Sequence, residues 1–180
     1  RAGADEVGVG RRIAKVGAAL TVSPGTWGPA PVSVSIQWLR DGKAIPGATR
    51  STFTPVAADL GKKITVRVTG AKQGYTDLAR TSTAVTVARG VLSPAPAPTI
   101  TGTPKVGATL TAKPGAWGPA PVALTYQWLR DGKPITGATK ATYAVGSADV
   151  GKKISVRVTG VKSGYTAATK TSTTVNVRAK

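Results

Sequence analysis

The chain has 180 residues with 25 Lys and Arg, 7 Asp and Glu, and a formal charge of +18. It has no cysteine and no histidine, which excludes disulfide stapling, thiolate metal sites and the commonest general base and metal ligand. Cofactor and metal sites are therefore not expected. No apolar run approaches the length of a membrane-spanning helix, so no membrane span is expected.

The N-terminal stretch 1–10 is Gly-rich and is expected to fray. It has neither an initiating Met nor an apolar leader, so the chain reads as a portion of a longer polypeptide. Beyond it, Gly and Pro punctuate short runs rich in Val, Thr and Ile, the pattern of strands separated by turns. Ala18–Val22 predicts a strand with Leu20 and Val22 on one face. Ser33–Trp38 alternates with Val34, Ile36 and Trp38 inward. Asp41-Gly42 predicts a tight hairpin turn. Residues 45–49 suit a short edge segment, and 51–54 predict a strand with Phe53 inward. Residues 63–68 alternate with Ile64, Val66 and Val68 inward. Residues 81–87 close the unit with Val85 and Val87 inward.

The same text then returns. Gln37-Trp38-Leu39-Arg40-Asp41-Gly42-Lys43 recurs as Gln127-Trp128-Leu129-Arg130-Asp131-Gly132-Lys133, and Val66-Arg67-Val68-Thr69-Gly70 as Val156-Arg157-Val158-Thr159-Gly160, at a constant offset of 90. A unit of that length can bury its own core, unlike a short solenoid repeat. The second copy keeps the inward set: Leu110, Leu124, Tyr126, Trp128, Tyr143, Ile154, Val156, Val158, Val175 and Val177. The expected architecture is all-β, two tandem sandwiches. Domain 1 spans 1–92 and domain 2 spans 99–180. Residues 93–98, alternating Pro and Ala, are expected to form an extended, semi-rigid linker.

Trp38 followed by Arg40-Asp41-Gly42, then Phe53, then Asp59-Leu60-Gly61-Lys62-Lys63, resembles an immunoglobulin-like domain: a core tryptophan on one strand, a basic-Asp-Gly turn, and an Asp-x-Gly step into the penultimate strand. The resemblance implies an immunoglobulin-like β-sandwich. It places the family's paired cysteines near Leu20 and Val66, and near Leu110 and Val156, where aliphatic residues stand instead. Trp38 and Trp128 would then centre an aliphatic core. More narrowly, the motifs resemble the cysteine-free repeats of secreted and wall-associated actinobacterial proteins, which implies an extracellular setting beside other domains of a parent protein.

No catalytic residues are expected. Asp41 and Asp131 sit in turns, Asp59 and Asp149 at a corner, and no nucleophile motif, phosphate loop or calcium loop occurs. Two features could bind a partner. Trp27 and Trp117, each in a Pro-Gly-x-Trp-Gly-Pro loop, could stack on a sugar, or could cover the open end of their own sandwich. Lys63, Arg67 and Arg80, repeated as Lys153, Arg157 and Lys170, could form a basic outward face with Gln37, Thr65, Gln127 and Ser155. Such a face would favour an anionic envelope polymer or polysaccharide, or would serve as a solvated surface whose edge lysines resist aggregation. Specific nucleic-acid binding is not expected, because most aromatics point inward. The chain is expected to be a monomer: a non-catalytic spacer or attachment module, or alternatively a carbohydrate-binding accessory.

Overall fold

The computed structural model describes residues 8–9 and 13–179. It divides into two compact units, 1–90 and 91–180. Each is an immunoglobulin-like β-sandwich, so the chain is all-β as the alternation and the repeat require.

In the first unit the strands are β1 (Gly8–Val9), β2 (Ala14–Lys15), β3 (Leu20–Ser23), β4 (Ser33–Arg40), β5 (Lys43–Ala44), β6 (Thr52–Phe53), β7 (Lys63–Ala71), β8 (Leu78–Thr81) and β9 (Val85–Ala88). One sheet has the order β1-β3-β6. The other has β2-β9-β7-β4-β5, with β8 also on β7. β2 runs parallel to β9. β3 is antiparallel to β1 and β6, β4 to β5 and β7, and β7 to β8 and β9. Leu20 from one sheet and Trp38, Ile64, Val66 and Val68 from the other are wholly buried between the layers. Burying one such side chain stabilises by about 1.5–3 kcal/mol, and no cystine is needed to hold the sheets together.

The second unit begins at Val91. Its strands include β10 (Gly90–Val91), within which the boundary falls, then β11 (Thr99–Thr101), β12 (Thr109–Lys113), β13 (Ala123–Arg130), β14 (Lys133–Pro134), β15 (Thr142–Ala144), β16 (Lys153–Val161), β17 (Tyr165–Thr166), β18 (Ala168–Thr171) and β19 (Val175–Asn176). β11-β12-β15 face β14-β13-β16-β18, with β19 on β16. Leu110, Trp128, Ile154, Val156 and Val177 form its core.

The core tryptophans are held in the same way in both units. The Trp38 indole N–H donates to Arg50 O and that of Trp128 to Lys140 O, each at 2.9 Å. Their rings lie against Phe53 and Tyr143, with centroids 5.6 and 5.5 Å apart. The Asp-Gly turns form as predicted. Asp41 and Asp131 adopt positive φ of 46° and 47°, each followed by a left-handed Gly, the backbone that a two-residue hairpin demands.

Four expectations change. The closing strand is not continuous over 81–87. Thr81 pairs with Arg67 and Val85 with Ile64, so four steps on one strand oppose three on the other and a bulge separates β8 from β9. Ser82 Oγ braces it by accepting the Val66 N–H at 3.1 Å. Residues 45–49 form turns rather than an edge strand, which is the short β5 instead. Val34 is on the inward side opposite Gly70 but lies near the sheet end and is 43% exposed. Gly8–Val9 pair with β3, while the rest of the expected flexible stretch 1–10 lies outside the described residues.

The segment 93–98, expected as an extended, semi-rigid linker, is bonded to the second unit. Leu92 is 4% exposed and packs with Trp117 and Val158. Ser93 N donates to Gly118 O at 2.8 Å, and Gly118 N to Pro94 O at 2.9 Å. The segment is bonded to the second sandwich because Leu92 just before it fills an apolar groove and its own backbone meets Gly118.

Candidate functional site

The outward basic face is set by register. Arg67 stands opposite Gln37 on β4 and Thr81 on β8, and Lys63 stands opposite Thr86. Lys63 and Arg67 therefore share one face, four residues or roughly 13 Å apart along the strand. Lys153 and Arg157 repeat them, opposite Asn176 and Gln127. Arg80 and Lys170 do not join this face. They pair with Val68 and Val158, which point into the core. Directly opposed residues lie on the same side of a sheet, so these two cations sit on the inward side of an edge strand, exposed at its margin.

Gln37 and Gln127, expected beside the cations, fold along the sheet edge. Their amides donate to Ile45 O and Ile135 O, each at 2.8 Å, and clip the turn that follows β5 and β14. Ser155 is buried beside Leu129. The face is thus Lys63 and Arg67 about a half-buried Thr65 in the first unit, and Lys153 and Arg157 about a buried Ser155 in the second, not a continuous basic track.

Trp27 and Trp117 plug the ends of their own sandwiches. Each indole N–H donates to the carbonyl of the loop proline three residues back, Pro24 at 2.8 Å and Pro114 at 3.0 Å. Each ring lies directly over a glycine of the central strand. A Cβ added at Gly160 would stand 2.6 Å from the Trp117 ring, and one at Gly70 would meet Trp27. The Val-Thr-Gly that ends both copies of the motif is there to admit the indole. Trp117 is 7% exposed, with Leu92 and Val158 against it, so it has no open face for a sugar to stack on. Trp27 is half-buried.

The aspartates have positive structural duties. Asp59 and Asp149 lie wholly buried in the short turns Ala57–Asp59 and Ser147–Asp149. Asp59 pairs with Arg40 and accepts the Val56 N–H. Asp149 accepts from Arg130 Nε at 2.7 Å, from Gly146 N at 2.8 Å and from the Tyr143 hydroxyl at 2.8 Å. Burial pushes the Asp149 carboxyl up, but Tyr143, Gly146 and Arg130 together outweigh it and hold the group below its ordinary value. Burial, then the neighbouring Asp149, raises the Tyr143 phenol, so it remains a donor. Asp41 and Asp131 each accept a backbone N–H, from Lys63 and Lys153 at 2.9 Å. They also pair with Lys62 and Lys152. Those N–H bonds, with the lysines, lower both carboxyls. Sequence reasoning placed these residues at a corner and a turn. It missed the pairing of the buried aspartates with half-exposed arginines because Arg40 and Asp59 stand 19 residues apart with no local pattern joining them.

Among the described residues no helix is long and apolar enough to cross a membrane, and no three His, Cys, Asp or Glu gather as a metal would require.

Compared with known proteins, the chain is 30% identical over 161 residues to the highly immunogenic outer capsid protein of Enterobacteria phage T4. The match covers 84% of this chain and 42% of the phage protein. No family model matches. Among solved structures it is similar to three domains of the bacteriophage RB49 highly immunogenic outer capsid protein (17% identity, 93% of this chain and 58% of that one, TM-score 0.37). It is also similar to an Antarctic bacterium's adhesin that binds ice (14%, 100% and 50%, TM-score 0.41) and to murine CEACAM1b (10%, 97% and 99%, TM-score 0.38). The fold assignment rests on the strand order and register described above.

Proposed function

We propose that the chain is a non-catalytic tandem immunoglobulin-like module of a larger secreted or surface protein. It spaces and displays neighbouring domains of its parent and holds them near anionic polymer through diffuse positive charge. The observation that carries this reading is how the negative charge is used. Asp41, Asp59, Asp131 and Asp149 each bond to backbone N–H groups and a Lys or Arg of their own unit. What remains to face a partner is a large surplus of cations, shared between both units.

Similarity to a protein of the outside of a phage capsid supports display on the exterior of a larger body. The cysteine-free motifs support a secreted, wall-associated repeat of the actinobacterial kind. An anionic envelope polymer or polysaccharide is the partner that such a surface favours, and the module acts as a monomer.

The test is retention on beads carrying polygalacturonate or neutral dextran, at about 0.1 M and 1 M salt, where the screening length falls from about 10 to 3 Å. Retention on the anionic beads alone, lost at the higher salt, supports the reading. Salt-resistant retention on dextran would defeat it.

A further inference from the structure

The segment that opens the second unit is fastened differently from everything after it. From Val91 to Ala97 the chain reads Val-Leu-Ser-Pro-Ala-Pro-Ala. Pro94 and Pro96 have no N–H to give, so the segment cannot be zipped into a sheet along its length. Short fastenings hold it instead. Gly90–Val91 pair with Tyr165–Thr166. Ser93 N donates to Gly118 O, and Gly118 N to Pro94 O. Leu92 packs with Trp117 and Val158 in a small apolar cluster, and Ala95 lies against it.

The larger apolar cluster of the unit takes no residue from this segment. Leu110, Trp128, Ile154, Val156 and Val177 pack together there, and Ile100 lies against them. The chain is fixed from Pro98 onward: Pro98 is buried, and Thr99–Thr101 pair with β12. Behind that anchor β16 is bonded to β13 without a break from Ala123↔Val161 to Arg130↔Ile154, and to β18 and β19 on its other side. A segment with few fastenings, attached to a sheet with many, opens at lower free energy than the sheet itself. It is also the first part of the unit that tension along the chain reaches, because it stands ahead of the anchor in sequence.

We propose that residues 91–97 are a releasable strap. It lifts off the second unit while the sandwich stays folded, and lengthens the tether leading into that unit when the parent protein is pulled. The released segment keeps its reach, because alternating Pro and Ala favours an extended backbone of about 3.1 Å per residue, so the tether gains about 20 Å. Release stops at Pro98 and Ile100, where the larger cluster and β12 hold the chain. The proposal rests on the spacer reading for its use, and bead retention tests the charge part of that reading separately.

The experiment follows amide exchange in the intact protein by nitrogen-15 NMR, in the parent and in Ser172→Ala. That substitution weakens the sheet away from the strap by removing the acceptor of the buried Val156 N–H. The Ser93 and Gly118 amides report the strap, and the amides over 154–158 report the sheet. A strap that lifts by itself opens without breaking the sheet. Ser172→Ala should therefore speed the sheet amides at least about fivefold and change the strap amides by less than about twofold. In a second arm single molecules are pulled from the two ends of the chain. The parent should show a short extension of about 20 Å before the second unit unfolds. Gly118→Ala puts a Cβ 2.9 Å from Ser93 O and from Pro94 Cδ, so it should lack the short extension and keep the unfolding step of the second unit. Strap amides that accelerate in step with the sheet amides, a parent record without the short extension, or an extension that survives Gly118→Ala would overturn the proposal.

Discussion

Removing the Tyr143 hydroxyl separates one hydrogen bond from everything around it. The hydroxyl donates at 2.8 Å to an Asp149 oxygen that is wholly buried and that also accepts the Gly146 N–H. Phe53 in the first unit shows what the variant keeps. Its ring stacks on Trp38 at 28°, against 27° for Tyr143 on Trp128. Tyr143→Phe therefore retains the apolar contact and loses only the bond to the carboxylate. A hydrogen bond to a charged group is worth about 1.5–3 kcal/mol. In a unit of this size each kcal/mol moves the melting temperature by about 4–8 °C, so the second unit should melt roughly 6–24 °C lower.

The loss also depends on pH. The Asp149 carboxyl lies below its ordinary value of 3.8 in the folded protein. Its stabilisation is present above that ordinary value and is lost as pH falls through the lowered one. Tyr143→Phe lets the folded value rise, so the gap between variant and parent should be full at neutral pH and shrink in acid below about pH 4. Hydrogen exchange read by mass spectrometry over 153–161 reports the second unit alone. A gap below about 0.5 kcal/mol at neutral pH, or one of equal size in strong acid, would refute the reasoning.

The converse, Phe53→Tyr, offers a hydroxyl to Asp59 and should stabilise the first unit by about 1 kcal/mol, visible as slower exchange over 63–71. Leu92→Ala should destabilise the second unit by about 2–5 kcal/mol in the same assay, since Leu92 packs in that unit's core with Trp117 and Val158. An effect within about 0.5 kcal/mol would show that Leu92 does not contribute to that core. Gly160→Ala drives a methyl into the Trp117 ring and toward Val122, and should cost about 1–3 kcal/mol by denaturant unfolding. Ser172→Ala removes the side chain that accepts the buried Val156 N–H at 3.0 Å. It should cost about 1–3 kcal/mol, with faster exchange at that amide.

Most of the fold was legible from period and repetition. Alternation fixed the inward faces of Ser33–Trp38 and 63–68, and the Asp-Gly pairs fixed two hairpins, because these signals are local. What escaped the reading depends on contacts between distant residues. The bulge at Ser82 is a mismatch between two strands and leaves no mark in either alone. Leu92 reads as the end of the first domain because the prolines after it obscure a single side chain buried in the second. Arg80 alternates plausibly with its neighbours, but the bulge shifts the phase of β8 relative to β9 and turns it to the inward side. For the loop tryptophans the sequence left two roles open. The glycine beneath each ring favours the end plug, and that signal stood in the repeated Val-Thr-Gly all along.

The claim that matters most for function is that attraction to polyanions is spread over the whole surface. It is tested most directly by comparing two fourfold variants on polygalacturonate across a salt series. One is Lys63→Gln, Arg67→Gln, Lys153→Gln and Arg157→Gln. The other neutralises Lys15, Lys43, Lys105 and Lys133, which stand elsewhere. Spread charge predicts equal, partial weakening of both and a common decline with salt. Abolished binding in the first variant with the second unaffected would contradict it and mark a discrete site.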